Sequence, residues 1–189
     1  MNADLYSEFR SSANSGDRKR AALFVGEFIK SFNDDSEKRA WARDFLESGE
    51  FGPKIRHEIY RDLIFPELER GYRSGEPWSL YFLAHTIQNI YDVRALHEQL
   101  DWVSDYSLLV NCYEVDPDFR DVRKQLLECV CRSLNFATHE WPSGLCCEIQ
   151  DIESDLTLGR HLDLERRFSL MFGEVETILA ESEARAKKI

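Results

Sequence analysis

The feature that most constrains the fold is the helical period of the apolar residues. In the stretch DRKRAALFVGEFIKSFN, residues 17–33, apolar side chains fall at positions 21, 24, 25, 28, 29 and 32. Steps of three and four residues place these side chains on one face of a helix. Similar stripes recur along the chain, without the sustained alternation that is typical of half-buried strands. We therefore expect an all-α protein of about eight helices in antiparallel pairs.

One segment is expected to form the centre of the molecule. WSLYFLAHTIQNIY, residues 78–91, is apolar on nearly every side of a helix, which is typical of a buried helix. Two prolines that precede this segment are expected to interrupt or start helices. Pro66 should kink or split a helix because proline removes a backbone donor, and Pro53 suits the first turn of the helix that follows Gly49.

The size and composition suit one helical domain. The chain has 189 residues, is 43% hydrophobic and contains only 9 Gly and 5 Pro, enough apolar material for a core with few turn residues. We expect N-terminal helices in residues 1–75, core helices in 76–140, and an acidic turn with a long C-terminal helix in 141–189. That last helix should carry its apolar stripe at Leu164, Phe168, Met171, Val175 and Ile178.

The segment NCYEVDPDFRDVRKQLLE, residues 111–128, resembles the junction between two tetratricopeptide repeats. Leu109, Cys112 and Pro117 fall at the spacing of that family, and Trp78 with the following aromatics is similar to the start of a repeat. The likeness covers residues 78–134, departs from the family's pattern at Asp105, and shows no second copy of the unit. It implies stacked helix pairs with a groove for a protein or peptide; an irregular helical bundle is the alternative.

Negative charge is concentrated in the second half of the chain. The net charge is −11, and residues 92–165 hold 16 Asp and Glu against 6 Lys and Arg. Such a region repels phosphates, so we expect no nucleic-acid partner. It would attract a basic protein instead. The plain alternative is that the acids serve solubility.

The sequence predicts a cytoplasmic protein. The N-terminus has no apolar run of signal-peptide length, and no segment is long enough to span a bilayer. The five cysteines are an odd number, and we interpret them as free thiols. The sequence leaves the oligomeric state open.

The segment FATHEWPSGLCCEIQDIE, residues 136–153, raises the question of chemistry. A composite metal site would use His139, Cys146, Cys147 and His161, although the spacing lacks the paired ligands of a structural zinc site. Alternatively, Cys146 is a nucleophile with His139 as its base. The favoured interpretation is structural: His139 caps the end of a helix, and Trp141 packs back against the protein as the chain turns.

The leading functional hypothesis is a protein-interaction module without a cofactor. Its concrete form is an inhibitor, or immunity protein, that binds a basic toxin or nuclease. The acids expected to contact the partner are Glu148, Asp151, Glu153 and Asp155. One rival is a metal- or thiol-dependent enzyme centred on residues 139–147. Another is a structural subunit of a larger assembly that uses residues 72–91 as an interface.

Overall fold

The computed structural model describes residues 1–49 and 54–186, and within these ranges it contains helices and no strand. The all-α expectation is confirmed. The helices are α1 Ala3–Asn14, α2 Arg18–Lys30, α3 Asp35–Glu47, α4 His57–Ile59, α5 Phe65–Arg73, α6 Pro77–His85, α7 Ile87–Tyr91, α8 Arg94–Gln99, α9 Asp105–Val115, α10 Val122–Thr138, α11 Ile149–Leu162 and α12 Ser169–Ala186. These are more segments than eight, because several expected helices are divided. Pro53 and the last three residues lie outside the described ranges.

The chain divides into two compact units, Met1–Val115 and Asp116–Ile189. The boundary falls inside the segment 76–140, directly after α9. It also falls inside the stretch that resembles tetratricopeptide repeats. That resemblance stays a prediction, since α9 ends at Val115 as expected but six residues separate it from α10.

The first unit begins with an aromatic cluster among α1, α2 and α3. The Trp41 ring lies 5.3 Å from Phe28, 5.7 Å from Tyr6 and 5.0 Å from Phe45, measured between ring centroids. Such pairs add to the free energy of burial. Carboxylates start two of these helices, because Asp17 accepts a hydrogen bond from the Arg20 backbone N–H at 3.0 Å and Asp34 caps α3 in the same way.

The helix expected around Pro66 is split. α4 continues into one π-helical stretch, Tyr60–Ile64, and α5 then begins at Phe65. The Phe65 backbone N–H bonds to the Tyr60 carbonyl, five residues back. Pro66 has no N–H to donate, so the regular hydrogen-bond ladder is interrupted at this point and a wider turn precedes it.

The expected core helix is buried but divided into α6 and α7. Every residue from Trp78 to Ala84 is buried, which confirms its central place in the unit. Thr86 separates the two helices. Its hydroxyl donates to the Phe82 carbonyl at 2.7 Å and pairs with the buried Tyr60 hydroxyl at 3.0 Å. The aromatic side chains of α6 are therefore engaged inside the unit, and Tyr91, 42% exposed, is the large apolar residue that this segment leaves at the surface.

A buried carboxylate joins α3 and α5. Glu67, 1% exposed, accepts hydrogen bonds from Arg43 Nε at 2.6 Å and from Arg70 Nη2 at 2.8 Å. Arg43 Nη2 also donates to both oxygens of Glu76, at 2.8 and 2.9 Å, and its guanidinium lies 4.3 Å from the Trp78 ring centroid. Each charge in this cluster has a partner, as buried ions require.

The close approach of α5 to α6 depends on Gly71. A Cβ at this position would lie 1.9 Å from Ser79 Oγ and 2.4 Å from Glu76 Oε2. Only a hydrogen at position 71 lets the buried Ser79 hydroxyl reach Glu76 Oε2, to which it donates at 2.9 Å.

The second unit packs α10, α11 and α12 together. α10 buries apolar side chains at helical spacing, among them Val122, Leu126, Val130 and Leu134. The expected stripe of the C-terminal helix is confirmed in part, because Val175 is buried and Phe168, Met171 and Ile178 are half-buried. Leu164, 68% exposed, does not belong to it, whereas Phe172 and Leu179 are buried without having been expected.

The buried Asp163 carboxylate explains why Leu164 lies outside that stripe. It accepts hydrogen bonds from the backbone N–H groups of Arg167, at 2.9 Å, and Phe168, at 2.8 Å. These bonds fix residues 163–168 as a turn, so α12 begins only at Ser169.

Candidate functional site

His139 ends α10, as the sequence predicted. It occupies the C-cap position, and its Nδ1 donates a hydrogen bond to the Phe136 carbonyl at 2.6 Å. A histidine at this place satisfies a carbonyl that the helix itself leaves open. Trp141 follows the helix and is half-buried, with the Arg185 guanidinium 4.5 Å from its ring centroid. Arg185 of α12 therefore packs over the Trp141 ring.

The structure brings His139 and Cys146 together. Cys146 Sγ lies 3.7 Å from His139 Nδ1, and His139 Nε2 lies 3.0 Å from a Glu140 carboxylate oxygen. The order carboxylate, imidazole, thiol resembles the arrangement of an activated nucleophile.

One hydrogen bond of the imidazole argues against a base at this position. The Phe136 carbonyl can only accept, so Nδ1 of His139 acts as the donor of that bond. Nδ1 is also the ring nitrogen that lies 3.7 Å from Cys146 Sγ, so it has no lone pair with which to take a proton from this thiol. The geometry instead places a donor beside an exposed thiol.

The other two candidate ligands do not complete a metal site. Cys147 borders a shallow depression of about 630 Å³ together with Cys146, whereas His161 borders a separate depression of about 700 Å³ on α11. Over residues 1–49 and 54–186, no three His, Cys, Asp or Glu side chains are grouped so that they could hold a metal ion. All five cysteines are free thiols, as expected.

The four acids chosen from the sequence lie at the start of α11. Glu148 is the N-cap residue, and Asp151 lies in the first turn, where the positive end of the helix dipole favours a carboxylate. Glu148, Asp151 and Glu153 are exposed, and Asp155 is half-buried. Helical spacing puts Asp151 and Asp155 on one side of the buried stripe and Glu153 on the other.

These acids have few local cations. Within the described part of the chain, no ion pair joins Glu148, Asp151 or Glu153 to a basic group. Arg160, near the other end of α11, pairs with Glu176 at 2.5 Å. The arrangement leaves three charged, solvated carboxylates at one end of a helix. It can attract cations.

The sequence did not reveal a concave site in the second unit. A cavity of about 600 Å³ lies where the start of α10 faces the turn held by Asp163. Its lining combines four basic side chains, five acidic ones and an apolar floor: Arg120, Arg123, Lys124, Arg167, Asp118, Asp121, Glu128, Asp163, Glu165, Leu127, Leu162, Leu164 and Phe168. The sequence signal for this cavity was the mixture of charges in RDVRK, residues 120–124, and DLERRF, residues 163–168. The sequence does not show that the turn at residues 163–168 brings these two stretches together.

In residues 1–49 and 54–186, none of the helices is long and apolar enough to cross a bilayer. Comparisons of the chain with protein-family models, with curated proteins and with solved structures gave no significant match.

Proposed function

We propose that this chain binds a basic protein through the acids of α11: Glu148, Asp151, Glu153 and Asp155. The concrete form of the proposal is an inhibitor of a basic toxin or nuclease. The observation that supports it most is the exposure of the first three acids without an ion pair inside the described chain. Carboxylates of this kind contribute little to folding and are free to meet a partner's cations.

The charge of the region strengthens this proposal. Residues 92–165 carry 16 acidic against 6 basic residues. A surface of one sign raises the association rate of an oppositely charged partner and makes that rate fall with ionic strength. Rim charges act mainly on association, so neutralising them should leave the dissociation rate almost unchanged.

The test compares two double variants that remove the same charge. Asp151→Asn with Glu153→Gln removes two acids of α11. Glu174→Gln with Glu181→Gln removes two exposed acids of α12 for which the described chain shows no ion pair. A basic partner would be captured from cells, purified, and its association rate measured from about 20 to 500 mM NaCl. We expect the α11 variant to associate several-fold more slowly at low salt and with a shallower salt dependence.

The control variant should retain most of the wild-type rate. An association rate that ignores salt and responds equally to both double variants would contradict the electrostatic proposal.

A thiol-dependent activity is the second candidate, because Cys146 Sγ lies 3.7 Å from His139 Nδ1. Thiol labelling at neutral pH tests it. Enhanced reactivity of Cys146 that is lost in His139→Ala, with Cys147→Ser as the matched control, would favour this candidate. Equal labelling rates in the wild type and in His139→Ala would remove it.

A further inference from the structure

The turn between α8 and α9 holds two consecutive residues in the left-handed region. Asp101 has φ 54° and Trp102 has φ 61°. This conformation is unfavourable for a residue with a Cβ and is rare for a bulky side chain. Backbone bonds hold it, because Asp101 N–H donates to the Glu98 carbonyl at 3.2 Å and Trp102 N–H donates to the His97 carbonyl at 3.0 Å. Strain of this kind often accompanies a functional site.

The strained turn presents an aromatic surface, which we define as Tyr91, His97 and Trp102. Trp102 is 55% exposed, and Tyr91 is 42% exposed. His97 lies between them, with ring centroids 4.7 Å from Trp102 and 5.1 Å from Tyr91. His97 Nε2 donates to the Val103 carbonyl at 2.9 Å, which fixes the imidazole in this position.

Two carboxylates belong to the same part of the chain as the aromatic surface. Asp101 directly precedes Trp102, and its negative charge contributes to the raised pKa of the Arg73 guanidinium. Asp105 opens α9 and acts on the Tyr91 hydroxyl, whose pKa is raised by burial and by the negative charge of Asp105. The surface thus combines exposed π faces with negative charge, the two features that attract a cation.

Each neighbouring cation already has a carboxylate of its own. Arg94 Nε donates to Glu98 at 2.7 Å, Arg73 Nη2 donates to Glu69 at 2.7 Å, and the Lys54 ammonium pairs with Asp92. The local surplus is therefore negative. The Arg94 guanidinium also lies 5.8 Å from the Trp102 ring centroid, so the chain itself places a guanidinium within cation–π distance of this indole.

We propose that the aromatic surface binds an arginine side chain of a basic protein partner. A guanidinium is planar, stacks on an indole, and can donate two parallel hydrogen bonds to a carboxylate such as Asp101. A nucleobase could stack on the same rings, but its phosphates would meet the acids. The inference rests on the proposed function for the partner's charge, and it adds the recognised side chain and a second binding surface in the first unit.

The probe is a blocked tri-arginine peptide, with tri-lysine and tri-glutamate peptides of the same length as comparisons. Binding is followed by NMR through the indole N–H signals of the four tryptophans and the backbone amides of Val103 and Ser104. We expect tri-arginine to shift the Trp102 indole in a saturable and salt-sensitive manner. Tri-lysine should bind more weakly, and tri-glutamate should leave the signal unchanged.

Variants separate binding from folding. Trp102→Gly suits φ 61°, so we expect it to keep the fold and to weaken tri-arginine binding about three- to fivefold. Trp102→Tyr should restore most of the affinity. Asp101→Asn should weaken binding about twofold, and Arg94→Ala should strengthen it because it removes a competing guanidinium.

The inference is overturned if tri-arginine leaves the Trp102 indole unmoved, if tri-glutamate shifts it equally, or if Trp102→Gly binds as well as wild type. The double variant Asp151→Asn with Glu153→Gln distinguishes the two proposals. If it alone abolishes peptide binding, the aromatic surface is excluded and the α11 proposal stands. If peptide binding persists in this variant and its partner kinetics match wild type, the aromatic surface stands and the α11 proposal fails.

Discussion

Two groups of carboxylates in this chain have opposite surroundings. Glu67 and Glu76, in the first unit, share the guanidinium of Arg43, and Glu67 is 1% exposed. Glu148 and Asp151, in the second unit, are exposed at the start of α11. The first pair is held by short hydrogen bonds from fixed donors, whereas the second pair faces water.

The difference shows why net charge alone does not locate function. A buried carboxylate such as Glu67 is committed to the fold, since removing it takes a hydrogen-bond acceptor away from both Arg43 and Arg70. A solvated carboxylate contributes little to the free energy of unfolding, and its field extends into solvent where a partner can respond to it. Three tests can break or sharpen this comparison.

The largest effect is expected for Glu67→Ala. It leaves Arg43 and Arg70 without their shared acceptor, and we expect the free energy of unfolding to fall by about 3 kcal/mol. Urea denaturation measures this change. Glu69→Ala is the matched control, because Glu69 pairs with the exposed Arg73, and its loss should cost less than about 0.5 kcal/mol. Equal losses in the two variants would remove the distinction between buried and solvated pairs.

Glu76 is expected to have a smaller effect, which is on the pH dependence of the free energy of unfolding. Burial opposes the ionisation of Glu76, but hydrogen bonds from Arg43 and Ser79 outweigh it and hold the pKa of this carboxyl below its ordinary value of 4.5. A depressed folded-state pKa stabilises the protein above pH 4.5, and this contribution disappears as the pH falls through the folded-state pKa.

Urea midpoints measured from pH 7 to pH 3 test this assignment. Glu76→Gln lacks the titrating group, so its stability should fall less steeply below pH 4.5 than that of the wild type. Parallel curves for the two proteins would show that Glu76 titrates alike in the folded and unfolded chains.

The smallest effect on stability is expected for Asp151→Asn with Glu153→Gln. Both side chains are exposed, so the free energy of unfolding should change by less than about 0.5 kcal/mol. Thermal unfolding at low and high salt measures it. A loss above about 1 kcal/mol would mean that these acids hold α11 in place, and the interaction proposal would lose its main support.

Much of the fold could be predicted because apolar spacing reports directly on helix faces. The burial of Trp78–Ala84 followed from their composition, and the split near Pro66 followed from its missing donor. The start of α12 at Ser169 could not be predicted, because it depends on hydrogen bonds from backbone groups to Asp163 and not on an apolar pattern. Side-chain to backbone bonds of this kind leave little trace in a sequence.

The candidate site was predictable to a similar degree. The capping role of His139 followed from its place at a helix end, whereas its contact with Cys146 was an alternative to the favoured interpretation. The helical spacing of Trp102, Tyr106 and Leu109 favours one helix through all three, but α9 begins only at Asp105. A tryptophan with positive φ contradicts its own backbone preference, so only three-dimensional structure could reveal that α8 ends before it.

The π-helical stretch at Tyr60–Ile64 has a consequence for how this helix could have changed over time. A π turn contains one residue more than the α turn it replaces, so it amounts to a single insertion absorbed without a loop. The insertion turns everything after it by about 100° relative to α4, so it decides which side chains of α5 face the interior, among them Phe65 and Leu68. Deleting one residue here should restore an ordinary helix and turn α5 back by the same angle, and a small change in length would thereby repack the first unit.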